Sequence, residues 1–430
     1  MATRKVRTLR IASLGCALGL ATVFACSSDH PPAGVGSSGG PGDDSSSGGP
    51  GADQNSPDSG DASPSTVPFG NLPTVDEPDI PCVPTTAPKI TLYTAADSGG
   101  LGAPPVQLLQ SFGSGRFASG PNLPGYLTFD VAGTNPRQFS TAFPGAVVAY
   151  VSQGTNVGAF VGDSAVTYQR YDANGATVGA PVSIAPAGAP VISLTAASDD
   201  AGGAMVVWAA GTVVKVAYIT PAGTLAGTPW TLSPSASSVR VALAAKADKY
   251  LIVYAHTVAA DTFGAVLQLA DSNGAVGAPS DLAKIFGQLM PAGVAPTTPG
   301  WLLSFDGGGD DRVYLVPLTP TGAVAGPVHR LLGGDAPWAL ASAGTSVGVV
   351  SMSNDVITAG KEGPRAPRFR PVDATGHPLG PWVCLDNPVP PAQYQDMSVI
   401  ADGSGWSIVY KSPVNTTVLM RTNALGTAGP

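Results

Sequence analysis

The sequence predicts an all-β chain, a β-propeller of four-stranded blades set behind a disordered tether, and three observations predict it. One apolar strand returns six times, at 145–150, 203–208, 249–254, 300–305, 346–351 and 405–410, and five of the copies end on an aromatic residue. Each copy is followed by a turn that closes at Pro181, Pro229, Pro279, Pro327, Pro381 or Pro430, so successive copies lie 48 to 54 residues apart. Between strand and proline the glycines keep a fixed offset, as Gly175 and Gly179, Gly223 and Gly227, Gly322 and Gly326, Gly376 and Gly380. A period near fifty with several strands per unit fits a radial array, because one such unit leaves both faces of its sheet uncovered. Six blades are expected. The interval from Pro104 to Pro181 is longer than the others, and its insert 124–130 is similar to 299–306, which leaves a seventh, degenerate blade as the alternative.

Taken from the N-terminus, residues 1–25 read as a signal peptide: Arg4, Lys5, Arg7 and Arg10 precede an apolar stretch that stops at Cys26. The stretch is short for a membrane span and runs into Ser, Gly and Asp rather than a basic flank. Residues 26–80 hold almost no large apolar side chain and are expected to be a disordered tether. They carry nine of the 29 acidic groups and no Lys or Arg. The repeat domain, 81–430, is therefore close to neutral, which excludes the basic face that nucleic-acid binding needs. Gly36-Ser37-Ser38-Gly39-Gly40 matches the serine-hydrolase pattern, but lacks the strand before it and the helix after it that the motif requires.

Within the domain, the strand around Val206-Val207-Trp208 is apolar without alternation, as suits a strand covered on both faces. Third strands recur at 165–172, 213–220, 263–271, 312–320, 367–374 and 417–424, and the recurrent turn glycines imply positive φ angles. The chain stops before a final outer strand, while an extra strand opens the domain at 90–96; one terminus is expected to complete the blade begun at the other. Cys82 and Cys384 are expected to pair as a disulfide in an exported protein, with two buried free thiols as the alternative.

Val23-Phe24-Ala25-Cys26 resembles the lipobox of bacterial lipoproteins, which implies diacylation of Cys26; a cleavage before Cys16 and an ordinary secretory signal are the alternatives. The unit Val206-Val207-Trp208 with Gly223, Gly227 and Pro229 resembles the repeat of secreted bacterial β-propeller lipoproteins of unknown function, of the deltaproteobacterial type. That resemblance implies a cell-envelope protein held by a lipid anchor; the motif is structural and implies no activity.

Few residues invite chemistry. The four histidines, His30, His256, His329 and His377, show no metal-ligand spacing. Asp306, Asp310 and Asp311 in an acidic loop could hold calcium, against the simpler reading of a solvated hairpin. Asp199 and Asp402 read as turn-stabilising acids, although 402–406 is similar to the Asp-box turn of sialidases. Lys361, Arg365, Arg368 and Arg370 form a basic run in a lengthened loop, where a partner could bind. The leading expectation is a non-enzymatic envelope propeller, membrane-held by its lipid at the outer membrane and binding a protein or glycan. The alternative is a propeller hydrolase or lyase acting on polysaccharide, with acids drawn from different blades.

Overall fold

The computed structural model describes residues 72–78, 82–94 and, apart from short connections, 108–430. Cys26 and the signal segment lie outside the described residues. Three short strands come first: β1 (Thr74–Glu77), β2 (Val83–Pro84) and β3 (Lys89–Thr94). Blade 1 is β4 (Leu108–Phe112), β5 (Gly115–Ser119), β6 (Gly125–Asp130) and β7 (Arg137–Ser140). Blade 2 is β8 (Val147–Gln153), β9 (Asn156–Gly162), β10 (Ala165–Tyr171) and β11 (Thr177–Pro186). Blade 3 is β12 (Val191–Ser198), β13 (Ala204–Ala210), β14 (Val213–Ile219) and β15 (Trp230–Ser233). Blade 4 is β16 (Val241–Lys246), β17 (Lys249–Ala259), β18 (Thr262–Asp271) and β19 (Ser280–Phe286). Blade 5 is β20 (Met290–Thr297), β21 (Gly300–Asp306), β22 (Arg312–Leu318) and β23 (Val328–Leu332). Blade 6 is β24 (Asp335–Ala343), β25 (Ser346–Met352), β26 (Pro367–Asp373) and β27 (Val383–Cys384), and blade 7 is β28 (Gln395–Asp402), β29 (Gly405–Lys411) and β30 (Thr416–Asn423), completed by β3.

The ring thus has seven blades, not the six expected. The long first interval contains the whole of blade 1, and the insert 124–130 supplies its third strand, β6, not a second strand as the likeness to 299–306 suggested. Its turn runs only three residues from Gly133 to Pro136, against five or six from first glycine to proline in blades 2 to 6, and Asn135, at φ 54°, takes a positive-φ position. A different repeat runs through all seven blades. An Asp, Thr or Asn stands three residues before a turn glycine at Asp130, Asp172, Thr220, Asp271, Thr319, Asp373 and Asn423. In each, the side-chain oxygen accepts the backbone N–H four residues on, which holds the turn between third and fourth strands. Gly175, Gly223, Gly322 and Gly376 have the positive φ expected, from 78° to 96°, whereas of the second glycines only Gly179 and Gly227 do.

Packing explains why second strands are apolar without alternation. In β13 successive side chains alternate between two interfaces: Val206 and Trp208 face blade 2 with Phe160 and Tyr168, while Met205 and Val207 face blade 4 with Tyr250 and Ile252. Each of the seven buried apolar clusters among the described residues is one such contact between adjacent blades. The cluster joining blade 7 to blade 1 consists of Leu92, Ala118, Phe129, Val409 and Leu419, the leanest of the set.

The N-terminal strands form an arm along the outer rim. β1 adds to blade 5 in parallel with β23, with Thr74 opposite Val328 and Glu77 opposite Leu331. β2 adds to blade 6 in parallel with β27, and β3 pairs antiparallel with β30 to complete blade 7. Closure by the N-terminus is as expected. The segment read as tether, however, ends in structure, because β1 precedes residue 80. Cys82 and Cys384 are bonded, with Cα atoms 5.5 Å apart and a sequence separation of 302.

Two stability tests follow from this architecture. Replacing Cys82 and Cys384 together by Ser is expected to lower stability by roughly 2–5 kcal/mol, read as a lower urea midpoint, because the bond limits the unfolded chain. At Gly405, the first residue of β29, a Cβ would overlap the carbonyl oxygen of Thr422 on the neighbouring strand. Gly405→Ala should therefore cost about 1–3 kcal/mol in the same titration, while Gly380→Ala, where φ is not positive and the nearest atom to a Cβ stands 4.0 Å away, should cost less.

Candidate functional site

Strand β1 carries one acid to the rim of blade 5 and buries it. Glu77 is 3% exposed, beneath the parallel pairing of β1 with β23. His329, on β23, is buried beside it, and its Nδ1 lies 2.6 Å from Glu77 Oε1. His377 comes from the turn of blade 6 between third and fourth strands. Asp373 caps that turn by accepting the backbone N–H groups of Thr375 and His377. The turn is pressed onto blade 5: a Cβ at Gly376 would stand 3.1 Å from Leu315 Cβ and 3.4 Å from His329 Cδ2. This brings His377 Nδ1 to 3.2 Å from the same Glu77 oxygen, with the two imidazole centroids 6.0 Å apart. One ligand-type atom from each residue lies within 4.8 Å of the other two. Three elements distant in sequence thus converge two imidazoles and a carboxylate, a donor set that can hold a divalent ion.

Spacing along the chain did not reveal this group. His329 and His377 sit on adjacent blades, and only the repeat period hints that they are neighbours. Glu77 belonged to the segment read as tether, so nothing in sequence pointed to it.

The residues singled out from sequence fare differently. Of the basic run, Lys361 and Arg365 lie outside the described residues. Arg368 and Arg370 are in β26, not in a loop. Arg370 is 1% exposed, its guanidinium stands 5.6 Å over the Trp382 ring, and its Nε donates to the Gly380 carbonyl at 2.9 Å. A side chain sealed into the blade in this way cannot meet a partner, and Arg370 is withdrawn from that role. Asp306 ends β21, while Asp310 and Asp311 lie outside the described residues, as does the calcium loop they were read to form.

Asp199 and Asp402 stabilise their turns and also stitch blades together. Asp199 accepts the Gly203 N–H at 2.8 Å, the Tyr218 hydroxyl at 2.8 Å and, from blade 4, the Tyr250 hydroxyl at 3.0 Å. Burial, reinforced by this carboxylate, pushes both phenols well above their usual range. Asp402 crosses the lean contact between blades 7 and 1, accepting from Arg116 of β5 at 2.7 Å, Arg421 at 3.1 Å and the Ser407 hydroxyl at 2.6 Å. Burial works against its charge. The Ser407 hydroxyl and the Arg116 and Arg421 guanidiniums outweigh that and hold the Asp402 carboxyl below the usual carboxylate range.

No family model matches the chain. No curated protein matches it either. Among solved structures, one from a structural and mechanistic analysis of two prolyl endopeptidases is similar over 69% of this chain, at 13% identity and a TM-score of 0.42. The chain spans 45% of that structure's length.

The depressed acidity of Asp402 makes a signed prediction. Its contribution is fully present above the ordinary Asp value, about pH 4, and is lost as pH falls through the lower value held in the fold. Asp402→Asn should destabilise the protein at neutral pH by about 3 kcal/mol, because it leaves Arg116 and Arg421 facing an uncharged amide. Urea titrations at descending pH should show the gap between variant and wild type closing below about pH 4. A gap that stays constant to acid pH would assign the loss to packing alone.

Proposed function

We propose that the protein is a cell-envelope lipoprotein that presents its propeller to a protein or glycan partner and binds it without catalysis. The observation that carries this reading is an unequal dressing of the ring. Between second and third strands, blades 2, 3 and 4 use two-residue connections, 163–164, 211–212 and 260–261, whereas blade 6 uses 353–366. The connection from blade 6 to blade 7, 385–394, leaves from the same end of the ring. Antiparallel strands alternate direction, so both long connections start from the same end of the ring, and Lys361 and Arg365 lie in the longer one. Long connections on a rigid scaffold are where recognition concentrates.

The inner strands favour binding over turnover. β4, β8, β12, β16, β20, β24 and β28 form the unpaired inner edge of each sheet, and they are rich in Ala, Val and Ser. Their charged residues, Lys246, Asp335, Asp396 and Asp402, stand at or next to strand ends. The described inner strands therefore offer no grouping of Asp, Arg and Tyr of the sort a polysaccharide hydrolase or lyase would need. Lipidation at Cys26, a signal peptide over 1–25 and a spacer behind it supply the address in this reading.

Two measurements test it. Labelling cells with a radioactive fatty acid should mark the wild-type protein but not Cys26→Ala, and equal labelling would overturn the anchor. Crosslinking on intact cells, followed by mass spectrometry, should recover one reproducible partner, and Lys361→Glu with Arg365→Glu should reduce its yield at least about fivefold. Recovery unaffected by that double change would remove the partner from this end of the ring.

A further inference from the structure

We propose that Glu77, His329 and His377 form a zinc site that fastens the N-terminal arm to blades 5 and 6. The donors are one carboxylate oxygen and two imidazole nitrogens, and with both imidazoles neutral the group carries a single negative charge. That set suits Zn²⁺ and disfavours Ca²⁺ and Mg²⁺, which take oxygen ligands.

The geometry is close to what such an ion requires. Zinc bonds of about 2.0–2.2 Å in a tetrahedron put neighbouring ligand atoms roughly 3.3 Å apart. Glu77 Oε1 and His377 Nδ1 already stand at 3.2 Å. The 2.6 Å separation of Glu77 Oε1 from His329 Nδ1 is a hydrogen-bond distance, and it opens by about 0.7 Å when the ion replaces the bridging protons. The fourth position is reachable by water, because the His377 side chain is 60% exposed while those of Glu77 and His329 are 3% and 8% exposed. Two ligands are supplied by the ring and one by the arm. The ion would therefore hold the arm only five residues before the Cys82–Cys384 bond holds it again.

This site is separate from the partner-binding reading and stands without it. Full-length protein lacking any histidine tag, stripped with a chelator and dialysed, would be titrated with Zn²⁺ in competition with a chromophoric chelator. One equivalent per chain is expected, with a melting temperature that rises with Zn²⁺ and is unmoved by Ca²⁺ or Mg²⁺. His377→Ala changes an exposed turn residue and should leave the fold intact by circular dichroism while weakening Zn²⁺ at least about tenfold. Glu77→Gln should do the same, and His256→Ala, on another blade, should change nothing. A stripped protein that takes up no Zn²⁺ would overturn the proposal and leave the cluster a hydrogen-bonded ion pair. Uptake undiminished in His377→Ala and in Glu77→Gln would overturn it equally, by placing the ion elsewhere.

Discussion

Every blade of this protein has two apolar faces, and neither can be covered from within the blade. The hydrophobic effect therefore acts on the ring as a whole: burying β13 on one side requires blade 2 and on the other blade 4, and so on round the circle. Trp208, Trp301, Trp382 and Trp406 are fully buried because each is clamped between neighbouring blades. A circle with one contact missing would expose two such faces at once. Closure is the condition on which all other contacts depend.

That condition is met at the weakest place. Blades 7 and 1 are joined by the leanest apolar cluster among the described residues, and there Asp402 draws together Arg116 from one blade and Arg421 and Ser407 from the other. Strand β3 adds a covalent argument, since the chain that begins blade 1 has already supplied the last strand of blade 7. The arm then extends the same logic backwards. β2 and β1 add to blades 6 and 5, so one continuous segment crosses three blades that the rest of the chain reaches only at its end. The disulfide prevents that segment from peeling away while the ring remains folded. Holding the arm at Glu77 as well would restrict it on both sides of residues 78–81.

Short braced turns and long connections are distributed to different ends of the ring. Turns between first and second strands are short and carry the stitches made by Asp199, Asp402 and Lys246, whose Nζ donates to the Thr297 carbonyl at 2.6 Å in the next blade. The opposite end carries the long connections of blades 6 and 7. A scaffold braced at one end tolerates variation at the other, which is the arrangement a binding surface needs. The arm lies against blades 5 and 6, and a zinc ion held there by His377 would steady the blade that bears the longest connection through its turn at the braced end.

Local pattern alone determined the class of fold, the approximate period, the turn chemistry and the closing of the last blade by the first strand. These properties depend on residues near one another in sequence: an apolar run, a glycine at a fixed offset, a missing outer strand at the C-terminus. Blade number was misjudged because blade 1 lacks the Gly-x-Pro ending, although its Asp130 and Gly133 keep the spacing of the other six turns. The Cys82–Cys384 pair was legible because only two cysteines fall in the domain. The burial of Arg370 was not: the third strand 367–374 contains it, but the cover over its guanidinium comes from the Trp382 ring and the Gly380 carbonyl, contacts that only the packed blade makes. Least visible was the convergence of Glu77, His329 and His377. Their proximity depends on a parallel pairing between an arm and a strand some 250 residues away, and on the packing of one blade's turn against its neighbour. Such contacts are made by ring closure and leave no periodic trace, so only the tertiary structure decided them.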